Sequence, residues 1–313
     1  MSSLHAIIEI ELPSGDVLPV VRRRFQGSTT GPRVALVAGI RGDAPEGIRV
    51  AHRIAVFLEA HEDALTGTVD IYPCANPLAA HRGARLWPFF DLDLNRLFPG
   101  RDDGHPPHRV AHALKSDVSG ADQVVELRGA RAEFSEAPQA HVRLKDTLAA
   151  ERAQACNVAA VWCRRPGPAA ARTFAHQFAN TIVLEGGTGN RLTAGVGRDL
   201  ADGALNLLAT LGVLDETALP FHWAGLQRPV RVTDEQVMRV RSNRGGLFLP
   251  HGEIWGEVAA GDSLGSVVDP VTSEVLEQVV APAAGRLLAI RELPVVFPGS
   301  MVARVVTLGG GES

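Results

Sequence analysis

Three short apolar runs constrain this chain most: Arg33–Ala38 (RVALVA), residues 123–127 (QVVEL) and residues 181–184 (TIVL), each followed closely by glycine and charged residues. A run such as RVALVA, with no polar alternation, is the pattern of a strand buried on both faces. Between these runs lie stretches with apolar positions at helical spacing, residues 48–60, 106–114, 144–154 and 200–211. Residues 69–74 and 158–163 read as further strands, and 164–168 (RRPGP) as a loop. Strands alternating with helices predict an α/β sheet, which places ligands at the carboxyl ends of its strands. Residues 6–12 and 17–23, joined by Pro13-Ser14-Gly15-Asp16, predict a β-hairpin ahead of it.

The texture changes near Leu226, where helical periodicity gives way to short alternating segments separated by Gly, Pro and Asp. The expected division is an α/β domain over residues 1–225 and a small all-β domain over 226–313. The second part has no lysine, since Lys115 and Lys145 are the only two in the chain, so it cannot carry lipoate or biotin. A net charge of −4 gives no reason to expect nucleic acid or an anionic membrane as partner. No apolar run is long enough to span a bilayer, and the N-terminus is not a signal peptide. Cys74, Cys156 and Cys163 form no CxxC pair, which fits a reducing compartment. A cytoplasmic location is expected.

Chemistry concentrates in residues 91–100, DLDLNRLFPG, where Pro99 and Gly100 stop regular structure just after Asn95 and Arg96. A loop opening at Asn76-Pro77 brings a second arginine, Arg85. Arginine holds carboxylates through two parallel hydrogen bonds. NPLAAHRGAR followed by DLDLNRLFPG resembles the succinylglutamate desuccinylase/aspartoacylase family, zinc-dependent N-acyl amino acid deacylases of the zinc carboxypeptidase clan. That resemblance implies a three-layer α/β/α domain with a mixed sheet, then a barrel-sandwich, lipoyl-like domain. It implies carboxylate-holding roles for Arg85, Asn95 and Arg96, and a general acid/base role for Glu185 in its Glu-x-Gly segment.

It also implies zinc, and here the chain departs from the family. The frame Gly-Ile-x-Gly-Asp-x-Pro-Glu-Gly is intact over residues 39–47, but the His position holds Arg41 and the Glu position Ala44. The later His position holds Arg128, in Glu126-Leu127-Arg128. An arginine stays protonated and cannot be a ligand. At about 4 Å it repels a dication by roughly 8 kcal/mol at an effective dielectric near 20. The reading is therefore a relative without zinc or other cofactor, with Arg41, Arg128, Arg85, Asn95 and Arg96 expected around an acidic small molecule. A homo-oligomer or a pairing with an active paralogue is the other expected partnership. Two alternatives stay open: a hydrolase with a displaced metal, for which His108 and His112 have chelating spacing, and metal-free catalysis with Glu185 as base beside oxyanion-stabilising arginines. His52, His81 and Cys74 read as ordinary structural residues.

Overall fold

The computed structural model describes residues 2–220 and 226–308. The chain opens with the hairpin β1 (Ser2–Glu11) and β2 (Val17–Gln26). Its turn is closed by Leu12 donating to the carbonyl of Asp16 at 2.8 Å, with Gly15 at φ +88°. Then follow β3 (Arg33–Ala38), α1 (Pro45–Ala60), β4 (Thr68–Tyr72), α2 (Pro77–Arg82) and α3 (Pro106–Val118). The order continues with β5 (Gln123–Gly129), β6 (Phe134–Arg143), α4 (Thr147–Ala153), β7 (Ala160–Arg164), β8 (Ile182–Thr188) and α5 (Ala194–Thr210).

The sheet is mixed. β4, β3, β5 and β8 lie side by side and parallel, with β2 antiparallel on β4 and β6 antiparallel on β8. β3 shows why the apolar runs are unbroken: Val34, Leu36 and Ala38 join one core with α1, α4 and α5, while Ala35 and Val37 join another with α3. Side chains alternate across a strand, so a strand covered on both faces has no polar position to spare.

Three elements differ from the sequence expectation. Helix α2 stands where a loop is expected from Asn76-Pro77 onward: Pro77 takes the first helical position and Asn76 caps it. Helix α1 starts at Pro45, not at residue 48, because proline suits the first helical position, where no amide donor is needed. Strand β6 was not anticipated at all, since FSEAPQAHVR mixes polar residues with Pro138, which is rare inside a sheet. The register of β6 against β8 shifts between Glu136 and Gln139, and this irregularity accommodates the proline.

From Val230 onward the described residues form strands only: β9 (Val230–Thr233), β10 (Val237–Arg241), β11 (Gly246–Pro250), β12 (Glu257–Val258), β13 (Ser263–Val268), β14 (Val275–Val280), β15 (Gly285–Arg291), β16 (Val295–Val296) and β17 (Met301–Val306). Four of them make a separate sheet in the order β14-β13-β11-β16. The others extend the first sheet: β15 pairs with the front half of β6, and β7, itself joined to β9, pairs with its rear half. The expected division after residue 225 falls at the edge of residues 221–225, which lie outside the described residues. Among the described residues no helix is long and apolar enough to cross a membrane.

Candidate functional site

A cavity of about 650 Å³ opens at the carboxyl ends of β3, β5 and β8 and is lined by Arg41, Arg85, Asn95, Arg96, Arg128 and Glu185 among others. Arg41, Arg85, Asn95, Arg96, Arg128 and Glu185, each singled out from the sequence, therefore reach one place, whereas Ala44 is buried and does not line it. Local structure explains how. The loop after β3 packs so closely on α2 that a side chain at Gly42 would meet the backbone of Ala79 and Ala80, which pins Arg41 beside it. Helix α2 is itself fixed by Asn76, whose side chain accepts from the Ala79 amide at 3.2 Å, and it ends at Gly83 in the left-handed region.

The arginines are not alike. Arg128 is clamped: its Nε and Nη2 lie 2.5 and 2.6 Å from the two oxygens of Glu126, and its Nη1 lies 3.6 Å from Glu185 Oε2. Glu126 and Arg128 are two apart on β5, hence on one face, and Arg128 stands opposite Glu185 in the parallel ladder. Arg41 turns to Asp43 at 3.2 and 3.3 Å rather than to Glu126 or Glu185. Arg85 gives both its bonds to Asp93, at 3.0 and 2.8 Å. Asn95 is buried, and its Oδ1 accepts from the Phe174 amide at 2.9 Å, so it braces the wall formed by residues 169–178. Arg96 is exposed to the cavity and makes one long bond, to the Ala169 carbonyl at 3.4 Å.

Several residues of the site were missed in the sequence. Arg131 lines the cavity and has no carboxylate within ion-pair distance among the described residues. Its place three residues after Arg128, in RGAR, is the one local hint. Arg304, from β17, lies 3.4 Å from Glu136, and nothing in the sequence joins positions so far apart. Arg164 stacks over Trp162 at 4.4 Å and lies 3.8 Å from Asp234. His141 is buried with Nε2 unpartnered. Burial, with Arg164, Arg128 and Arg304 around it, pushes His141 down to about 3, so it is neutral near pH 7.

Burial alone would raise the Glu185 carboxyl, but positive groups outweigh it and hold Glu185 down to about 2. His141 is the first of these and acts only in acid, where it is charged; at neutral pH the work falls to Arg128, Arg41 and Arg131. Burial pushes the Cys74 thiol up, which suits a packing residue rather than a nucleophile.

The residues present do not fit a zinc ion. The three positions at which the resemblance implies zinc ligands, 41, 44 and 128, hold two guanidinium groups engaged with carboxylates and a methyl group. Among the described residues no three His, Cys, Asp or Glu side chains gather to hold a metal. His108 and His112 lie on α3 and do not line the cavity.

Residues 30–211 match the family model of the succinylglutamate desuccinylase/aspartoacylase catalytic domain. N-alpha-acetyl-L-2,4-diaminobutyric acid deacetylase of Halomonas elongata is 34% identical over 98 residues, which is 31% of this chain and only 28% of that protein. The product-bound ectoine utilization protein EutE (DoeB) of Ruegeria pomeroyi superposes with a TM-score of 0.82 at 22% identity, over 98% of this chain and 95% of that one. A succinylglutamate desuccinylase/aspartoacylase of Rhodobacter sphaeroides gives 0.81 at 21% identity, over 97% and 95%. At these identities the two structures establish the fold alone.

Proposed function

Because the chain belongs to the succinylglutamate desuccinylase/aspartoacylase family of N-acyl amino acid deacylases, yet carries Arg41, Ala44 and Arg128 where that family's zinc ligands stand, we propose that it is a non-hydrolytic member whose cavity binds a small acidic molecule. The observation that carries this reading is the division among the arginines. Arg41, Arg85, Arg128, Arg164 and Arg304 each have a carboxylate partner, whereas Arg96 and Arg131 face the cavity without one among the described residues. A guanidinium group held in a partly dry cavity without a counter-charge is a standing site for an anion. Family hydrolysis requires a metal-activated water, and two guanidinium groups at the ligand positions oppose a dication. Glu185 held near 2 is also a weak base at neutral pH, which counts against metal-free hydrolysis. We further read the strands from Val230 onward as a barrel-sandwich unit that supplies Arg304 to the cavity.

Elemental analysis of protein produced with added zinc is expected to find less than about a tenth of an equivalent, by the repulsion worked above. Dicarboxylates are expected to raise the melting temperature, since a ligand that binds only the folded state stabilises it. Arg96→Ala is expected to abolish that rise while changing stability by less than about 0.5 kcal/mol, as usual for an exposed side chain. Stoichiometric zinc, or chelator-sensitive release of amino acids from N-acyl substrates, would reject the proposal.

A further inference from the structure

Two of the arginines with a carboxylate partner, Arg164 and Arg304, are held chiefly by aromatic rings. The Arg164 guanidinium lies 4.4 Å from the centre of the Trp162 ring, and that of Arg304 lies 5.7 Å from the same ring and 5.9 Å from Phe134. Arg131 joins them through the backbone, since the Phe134 amide donates to the Arg131 carbonyl at 2.9 Å. Trp162 of β7 and Phe134 of β6 thus gather three guanidinium groups that line the cavity, one each from β7, β17 and the loop between β5 and β6. His141 meets Trp162 edge-on at 5.3 Å in the same cluster.

Stacking engages the flat face of a guanidinium group and leaves its five N–H donors, which lie in the plane, to other acceptors. Such acceptors are scarce here. Arg164 makes no side-chain hydrogen bond among the described residues and lies 3.8 Å from Asp234, which already accepts from the Trp162 indole at 3.0 Å and the Arg165 amide at 2.8 Å. Arg304 makes one bond, 3.4 Å long, to Glu136, whose other oxygen accepts from Gln139 at 2.8 Å. The Nε of both arginines is buried without a partner, and Arg131 has neither hydrogen bond nor ion pair among the described residues. Arg85 and Arg128, by contrast, each give two bonds of 3.0 Å or less to one carboxylate.

The other charges of the cavity have their own partners, with two exceptions. Arg41, Arg143 and Arg165 pair with Asp43, Asp146 and Glu235, and Glu185 lies against Arg128. Arg96 makes its one bond to the Ala169 carbonyl and is free to take a carboxylate. Glu133 also lines the cavity, with no cation within ion-pair distance among the described residues. It is partly exposed, so water weakens its repulsion of an anion.

We propose that Arg131, Arg164 and Arg304 hold a phosphate group, so that the preferred ligand is a small phosphorylated acid whose carboxylate meets Arg96. This names the ligand class for the acid-binding reading of the cavity and rests on that reading. A carboxylate offers two oxygens in one plane, which suits a single guanidinium fork. A phosphate group offers three oxygens about a tetrahedral centre and carries about two negative charges near pH 7, which suits three guanidinium groups arriving from separate elements. Their mutual repulsion points the same way. Burial first, and Arg304 among the neighbouring cations, pull both Arg131 and Arg164 below the ordinary arginine value, and a bound dianion relieves that repulsion.

Isothermal titration of the full chain with succinate and with 3-phosphonopropionate, in which a phosphonate replaces one carboxylate of succinate, tests the assignment. The phosphonate is expected to bind at least about tenfold more tightly. Arg131→Met is expected to bring the two affinities within about twofold of each other. Because it removes a half-buried cation that has no counter-charge, the same variant is expected to keep or raise the melting temperature of the ligand-free protein. Equal affinity of the wild type for both compounds, or tighter binding of succinate, overturns the phosphate assignment and leaves the acid-binding reading intact. Binding of neither compound rejects that reading and the assignment with it. An undiminished preference for the phosphonate in Arg131→Met, or a lowered melting temperature, shows Arg131 to be a structural group and overturns the three-arginine site.

Discussion

Replacing Arg128 by methionine removes a cation that touches both Glu126 and Glu185, whose side chains are 1% and 5% exposed. At 3.6 Å from Glu185 and an effective dielectric near 20, the Coulomb attraction to that group alone is roughly 4 to 5 kcal/mol. Desolvation of the arginine offsets part of the total. Leaving a buried charge without its partner then costs about 3–5 kcal/mol net. Urea unfolding at pH 7 is expected to show that loss with an unchanged denaturant slope. The pH dependence distinguishes this cause from simple misfit. In the wild type Glu185 is depressed to about 2, so its stabilisation is present above the unfolded value and disappears only as pH falls toward 2. Without Arg128, burial dominates at Glu185 and raises it, so the penalty is full at neutral pH and shrinks as pH falls toward about 5. Adding Glu126→Gln is expected to recover part of the loss, because it removes one of the stranded charges. A loss below about 1 kcal/mol, or one equal at pH 7 and pH 5, would refute this account of the site.

Arg41→His, Ala44→Glu and Arg128→His together are expected to restore zinc binding, seen as close to one equivalent of bound zinc and a melting temperature that rises with added zinc. Failure to bind, with the variant folded, would mean that more than the three side chains has changed. Away from the cavity, the fully buried Asp70 takes Arg24 and Arg33 at 2.7 Å each. Asp70→Asn is expected to cost about 3–5 kcal/mol in urea unfolding at pH 7 by leaving those arginines without their carboxylate. Burial opposes but the arginines prevail in lowering Asp70, so the wild-type contribution is present above the unfolded value near 3.9 and fades in acid. The gap between wild type and variant is therefore expected to close below about pH 4.

The parallel strands and the hairpin were legible because their signals are local. RVALVA has to be covered on both faces wherever it lies, and Pro106-Pro107 opens a helix through its own backbone, whereas Asn76-Pro77, read as the start of a loop, opens helix α2. The run DLDLNRLFPG and positions 41 and 128 pointed to one site, and the structure brings Arg41, Asn95, Arg96 and Arg128 to one cavity. What each arginine does there was not legible. Asp93 occupies Arg85 and Asp43 occupies Arg41, and choosing between a neighbouring acid and a ligand depends on side-chain direction rather than spacing.

Strand β6 marks the boundary between the two kinds of knowledge. Its composition speaks against a strand, and Glu136, Gln139 and His141 would read as surface residues on any hydropathy argument. Two of them owe their interior place to distant neighbours: Arg304 arrives from 168 positions away to pair with Glu136, and Gln139 stands opposite Glu185 of the adjacent strand. The amino-acid sequence by itself determined the α/β class and the residue types at positions 41, 44 and 128, since periodicity and residue chemistry act over a few positions. Tertiary structure alone decided which guanidinium groups are neutralised and which stay free, because charge balance in a cavity is a sum over elements that meet only once the chain has folded.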